Sequence, residues 1–196
     1  PCEKYSTTII RFKTGVEPEQ AYREYAVENG LVKIPTLKEK TKNIFDKLAS
    51  SVMLKIGYSG NMQFKKTINY LETLYSNTII HLVSFWNKGF DQNYPDYFPA
   101  NKSYGSDSDF NNLLKKIKEK DMLSMPYTNP TWWNESPTIE KLGAENVAIK
   151  YLNGKIGIES YGKNFGWVVS PYLENVLERQ KQTLKEVTVD YPMDIL

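Results

Sequence analysis

The chain has 196 residues, of which 40% are apolar and 24% charged, with a formal net charge of +2; that suits a globular protein with one sizeable core or two small ones. The charge is scattered and forms no basic block that could track phosphates, which argues against nucleic acid, and KKIKEK (115–120) reads as the solvated face of a helix because Ile117 keeps the apolar spacing. One Cys and one His exclude an intrachain disulfide and argue against a zinc or other metal site, and no apolar run reaches the roughly 18 residues of a membrane span.

TTIIRF (7–12) is β-rich and ends at Gly15, after which EPEQAYREYAVEN carries helical spacing through Ala21, Tyr22, Tyr25 and Ala26 up to a stop at Gly30. Thr36 followed by Glu39 is a capping box, and Leu37, Ile44, Phe45 and Leu48 give the helix it opens one apolar stripe, ending near Ala49. An alternation then sets in. SVMLKIGY (51–58) predicts a strand, Phe64, Ile68, Leu71 and Tyr75 a helix, and TIIHLVSFW (78–86) a β-branched strand buried on both faces. After a long loop, Phe110, Leu113, Leu114 and Ile117 predict a second helix, and DMLSMPY (121–127) a third strand.

YLNGKIGIESYG (151–162) predicts a hairpin, Ser170 and Pro171 open a helix along Leu173, Val176, Leu177 and Leu184, and MDIL begins a fourth apolar run. Strands alternating with helices imply a parallel α/β sheet. About four strand-helix units suit half of a (β/α)₈ TIM barrel, with residues 1–15 as the last strand of an upstream β module, residues 16–196 as the amino-terminal half of the barrel, and an insertion at about 134–170. A small open-sheet domain complete at this length is the plainer alternative.

Parallel α/β architectures place ligands at the carboxyl ends of their strands, so the loops after Tyr58, Trp86 and Tyr127 are expected on one face. The loop NKGFDQNYPDYFPANKSYGS has no periodicity, sets Asp91 and Asp96 among Phe90, Tyr94, Tyr97 and Phe98, and is long for a mere connection. MPYTNPTWWN (125–134) repeats the mixture with Tyr127, Asn129, Trp132 and Trp133. Both stretches read as surface. A pyranose has apolar C–H faces that stack on rings and a rim of hydroxyls that want carboxylate or amide partners, so such loops suit a carbohydrate, with Asp91 and Asp96 binding hydroxyls. The competing reading is a hydrophobic plug over the sheet end. His81 reads as a hydrogen-bonded core residue, no nucleophile elbow surrounds Ser59 or Ser84, and no phosphate or dinucleotide loop supports a cofactor.

The strings AYREYAVENGL with LKEK, then FDQNYPDYFP, MPYTNPTWW and YPMDIL together resemble a mostly bacterial family of glycosidase-like TIM barrels, a domain of unknown function distantly similar to retaining α-glycosidases. The resemblance implies a β-sandwich upstream, a catalytic carboxylate near the end of strand four and a proton donor on a later strand, both beyond Leu196. It implies substrate-facing roles for Trp86, Asp91, Tyr97, Asn129 and Trp132, to which the composition of the third loop adds Tyr127 and Trp133. The expectation is therefore a glycoside hydrolase-like fragment that forms part of a sugar cleft and is inactive alone. A half-barrel would also need the missing half, or a second copy, to cover its edges. The alternative is a non-catalytic carbohydrate-binding or interaction module. The compartment is open, with export or the periplasm as one expectation.

Overall fold

Three apolar runs form a parallel sheet, β1 (Val52–Gly57), β2 (Thr78–Val83) and β3 (Leu123–Pro126), in the order β1-β2-β3. The computed structural model describes Gly15 and residues 17–30, 36–41 and 44–195; the expected strand TTIIRF lies outside them. The chain forms two units, one ending at Asp46 and one running from Lys47.

In the first unit, α1 (Pro18–Glu28) starts with Pro at its first turn and stops at Gly30, whose φ of +65° is the left-handed conformation glycine adopts without cost. The Thr36/Glu39 capping box is formed: the Glu39 carboxylate accepts from the Thr36 N–H at 2.7 Å, which holds its pKa below the usual value. The single helix expected from Leu37 to Ala49 is instead two, α2 (Leu37–Lys40) and α3 (Phe45–Ser50). The Thr41 hydroxyl donates to the Leu37 carbonyl at 2.7 Å, the local side-chain competition that ends helices at Ser and Thr.

In the second unit the pleat sorts the sheet. Leu54 pairs with Ile80 and Ile56 with Leu82 on one face, against Phe64 and Leu71 of α4 (Phe64–Leu71) and Phe110, Leu113 and Ile117 of α5 (Asp107–Glu119). Ile80, Leu82, Phe64, Leu71, Phe110, Leu113 and Ile117 are all fully buried. β2 is buried along both faces except at His81, as its continuous apolar run required. On the other face, one row runs from exposed Lys55 through half-buried His81 to half-buried Met125. His81 Nδ1 lies 3.3 Å from the Met125 carbonyl oxygen, which fits the core-histidine reading.

The inserted segment builds its own antiparallel sheet, β4 (Trp132–Trp133), β5 (Ile158–Tyr161) and β6 (Asn164–Val168), in the order β4-β6-β5. The double Trp is therefore a strand of the inserted sheet. The hairpin is also displaced from 151–162: Lys150 bridges to Ile156 around a small turn at Gly154, and the β5–β6 pair turns at Gly162. Two turn signals lie close together, and both are used. Beyond α6 (Pro137–Leu142), helix α7 (Glu174–Lys185) starts at Glu174 and not at Ser170, because Ser170 spends its carbonyl on the Leu173 N–H, closing a turn before the helix.

The run MDIL is not a strand among the described residues. It still lies beside β3: the Asp194 carboxylate accepts from the Ser124 N–H and hydroxyl, both at 2.8 Å, and the Asp194 N–H donates to the Ser124 carbonyl. The described residues thus form a mixed α/β structure with a three-stranded parallel sheet and no closed barrel.

Candidate functional site

The loops after β1, β2 and β3 do meet. The Tyr58 N–H bonds to the Val83 carbonyl and the Tyr127 N–H to the Leu82 carbonyl, so the chain leaves all three strands at one level. The long loop after β2 is closed on itself: Trp86 bridges antiparallel to Ala100, and the Asn101 N–H donates to the Phe85 carbonyl. Such a closed excursion packs on its own side chains.

Those side chains form an aromatic series from core to rim. Phe85 stacks on Phe110 with centroids 5.1 Å apart and meets Trp86 edge-on; Trp86 touches Tyr94 and Tyr97 and stacks at 5.9 Å on Tyr127. Tyr94 meets Trp132 at 5.9 Å, and Trp132 meets Tyr161 of β5 at 5.1 Å. At the outer end Phe90 lies 5.2 Å from Tyr127, with the Lys55 ammonium 5.7 Å from the Phe90 ring centroid.

Burial overturns the reading of both stretches as surface. Trp86 and Trp133 are 0% exposed, Tyr97 1% and Trp132 2%. Their area offers more to packing than to solvent, about 1.5–3 kcal/mol for each large apolar side chain buried. The Trp86 indole N–H donates to the Gln92 carbonyl and that of Trp132 to the Glu159 carbonyl, whereas Trp133 Nε1 finds no acceptor among the described residues. Asn129 is half-buried, and its side-chain oxygen takes the N–H groups of Thr131 and Trp132, a turn that aims the chain into β4. Its own N–H donates to the Tyr97 hydroxyl at 2.6 Å.

Asp96 is likewise not a free hydroxyl binder. Its carboxylate takes the Thr138 N–H and hydroxyl at 2.9 and 2.8 Å and the Arg179 guanidinium at 3.2 Å. Arg179, on α7, also donates to the carbonyl of Pro95 and to Thr183, Thr138 and Glu186. One half-buried cation thus ties the loop after β2 to α6 and α7.

Asp91 and Tyr127 are half-buried at the rim. Asp91 adopts a left-handed φ of 54°, which short polar residues tolerate best, and its N–H and carboxylate both engage the Tyr94 hydroxyl. Partial burial raises its carboxyl pKa, and the Tyr94 hydrogen bond opposes this. Burial also raises the Tyr94 and Tyr97 hydroxyl pKa values, so both stay protonated donors.

Residues absent from the sequence-level assignment complete the rim. Asn134, 4% exposed, donates to the Asp91 carbonyl at 2.6 Å and accepts the Tyr94 N–H at 2.9 Å, clamping the Asp91 turn. It closes the stretch MPYTNPTWWN, but an amide bound to a distant backbone has no local signal. Tyr161 is half-exposed and donates to the Glu159 carboxylate at 3.0 Å. IESY lies within the stretch expected as a hairpin over 151–162, but Tyr161 belongs to the next hairpin, β5–β6, and its meeting with Trp132 has no local signal.

Two concavities flank this rim. One of about 150 Å³ lies between Tyr97, Asn129 and Trp133 and the α7 residues Gln180, Thr183 and Leu184. The other, about 210 Å³, lies between the loop after β2 and the β5–β6 hairpin. No cluster of metal-ligating side chains and no helix long and apolar enough to cross a membrane occurs among the described residues.

The model of a family described as a domain of unknown function (DUF6259) matches residues 3–190. The chain belongs to that family. No curated protein matches it. Among solved structures, the α-N-acetylgalactosaminidase NagBb from Bifidobacterium bifidum in complex with GalNAc aligns with a TM-score of 0.66 at 17% identity, over 84% of this chain and 30% of that one. A maltogenic α-amylase, AmyB from Thermotoga neapolitana, aligns at 0.59 and 13% identity over 76% of this chain and 38% of that one. A variant of the GH36 α-galactosidase AgaA from Geobacillus stearothermophilus aligns at 0.55 and 14% identity over 74% and 20%. The DUF6259 chain thus shares the fold of part of these glycoside hydrolases and spans about a third or less of the NagBb and AgaA chains.

Proposed function

We propose that this DUF6259 chain supplies one wall of a carbohydrate-binding cleft in a glycoside hydrolase-type (β/α)₈ barrel, its parallel sheet being the first part of that barrel. The sugar lies on the rim at the carboxyl ends of β1 to β3. Tyr127 and Tyr161 present ring faces to its C–H surface, and Asp91 accepts from its hydroxyls. Trp86, Tyr97, Asn129, Trp132 and Trp133 act beneath them as the layer that fixes the rim. The carboxylates that protonate and attack a glycosidic bond belong to strands outside this chain, so the chain alone binds without turnover.

The observation that carries this reading is the continuous ring series from Trp86 through Tyr94 and Trp132 to Tyr161, with Tyr127 stacked on Trp86, beside a half-buried carboxylate at Asp91. Titration calorimetry with a panel of neutral oligosaccharides tests it. The expected result is binding that Tyr127→Ala, Tyr161→Ala and Asp91→Asn each weaken about ten-fold, roughly 1.4 kcal/mol. A panel that fails to bind, or binding indifferent to all three changes, would overturn the rim. Hydrolysis of the same panel by this chain alone would refute the assignment of the catalytic groups elsewhere.

A further inference from the structure

The 210 Å³ cavity flanks the aromatic rim, and none of Asp91, Tyr127 and Tyr161 lines it. Its walls include Lys88 and Asn93 of the loop after β2, Asn134 and Glu135 after β4, and Lys163 and Phe165 at the hairpin. In the β5–β6 register Phe165 pairs with Ser160 and projects from the face opposite the rim residue Tyr161, whereas Asn164, which also lines the cavity, pairs with Tyr161. The Asp91 turn, clamped by Asn134, forms the partition on the other side.

The lining has a specific chemical character. Two ammonium groups face one carboxylate, an excess of one positive charge. Lys88 donates to the Glu135 backbone carbonyl at 3.2 Å, which leaves both its charge and the Glu135 carboxylate without an ion pair among the described residues, and Lys163 also lacks one there. Asn93 is 6% exposed and spends its amide N–H on the Asp96 carbonyl at 2.6 Å; its side-chain oxygen has no partner among the described residues. Phe165, 46% exposed, offers a ring wall.

The backbone here is also unusual. Lys88, Asp91 and Asn93 have φ of 66°, 54° and 65°, three non-glycine residues in the left-handed region within six positions. Such conformations persist where surrounding structure imposes them, and they gather at ligand sites.

We propose that this cavity is a second saccharide site, for a single pyranose unit that carries an acidic group. Lys88 and Lys163 take the anion, Asn93 and Glu135 accept from ring hydroxyls, and Phe165 covers the apolar face of the sugar. A carboxylate of a uronic acid and a sulfate ester share this chemistry. The site does not depend on the rim proposed above.

Four probes distinguish the outcomes, titrated into the whole chain and followed by calorimetry: methyl glucuronide, glucose 6-sulfate, methyl glucoside and inorganic sulfate. One or both acidic sugars should bind, with the glucoside and sulfate about ten-fold or more weaker. The double substitution Lys88→Gln and Lys163→Gln, at two exposed positions, should weaken the acidic sugar at least about ten-fold with the circular dichroism spectrum unchanged. Tyr161→Ala should leave that affinity alone; if rim variants lose neutral glycans and this site keeps its ligand, the two sites are independent. Preference for the uronide or for the sulfate ester identifies the acidic group. Equal affinity for the glucoside, equal affinity for inorganic sulfate, no binding of either acidic sugar, or binding that survives the double substitution would each overturn the proposal.

Discussion

Gly166 lies against Trp132 with no room for a methyl group between them. A Cβ at Gly166 would stand 2.6 Å from Trp132 Cε2 and 2.5 Å from the Trp133 carbonyl oxygen. The second contact is with backbone, which cannot rotate away, so the β4–β6 pair must separate to admit a side chain. Gly166→Ala should destabilise the protein by about 1–3 kcal/mol, as overpacking does. Its midpoint of urea unfolding should fall with the slope unchanged; a midpoint equal to that of the parent would mean the inserted sheet is loosely packed.

Why Gly166 is glycine could not be read from FGW, because the ring that excludes a side chain comes from a strand more than thirty residues earlier. The alternating and β-branched runs were legible: β1, β2, β3, α4 and α5 all form within the stretches that periodicity marked, although α4 stops at Leu71, short of Tyr75, and β2 at Val83, short of Trp86. So was the stop at Gly30, and so was the capping box at Thr36. These are local signals, fixed by neighbours within one turn. The depth of Trp86, Trp132 and Trp133 was not local. Pro and Asn nearby suggested solvent, yet the Asn129 and Asn134 amides are spent on backbone and so allow the loops to be buried. The convergence of Asp91 with Trp132 was anticipated from topology alone, and both touch Tyr94.

The Arg179 network makes α7 and the loop after β2 depend on each other. Arg179 is 13% exposed at its side chain, Asp96 19% and Glu186 17%. Removing the cation leaves two carboxylates partly desolvated and unpaired, so Arg179→Ala should cost about 3–5 kcal/mol. Arg179→Lys keeps the charge but not the fork that reaches Pro95, Asp96 and Thr138 together, and should recover only part of the loss. Denaturant melts of both variants provide the check; a near-neutral Arg179→Ala would show that the network is dispensable.

Burial also decides which aromatic substitutions can report on binding. Trp132→Ala should cost about 3–5 kcal/mol, the usual penalty for emptying a buried aromatic site, and any lost affinity would then reflect lost structure. Tyr161 is 51% exposed, so Tyr161→Ala should keep the cooperative unfolding transition within about 1 kcal/mol of the parent. Comparing the two unfolding curves checks the distinction, and a Tyr161→Ala loss as large as that of Trp132→Ala would place Tyr161 in the core and not on the rim.

Asp91 carries a pH dependence whose sign follows from its environment. Burial raises its folded pKa above the ordinary 3.8, so the folded chain holds the proton longer than the unfolded chain does. Below 3.8 both states are protonated and the residue contributes no pH-dependent difference. As pH rises through the folded value, the unfolded chain has already ionised and the folded chain must follow at a cost, so wild-type stability from this group falls and then levels off. Asn does not titrate, keeps an oxygen for the Tyr94 hydroxyl, and suits a left-handed backbone. The stability of Asp91→Asn relative to wild type should therefore increase between acid and neutral pH, while its glycan affinity drops through loss of the charged acceptor. Thermal melts of the two proteins across that range measure the first effect. If wild type instead gains on the variant as pH rises, the Asp91 carboxylate is stabilised by its surroundings, and its unsatisfied capacity for a sugar hydroxyl is not what the rim offers.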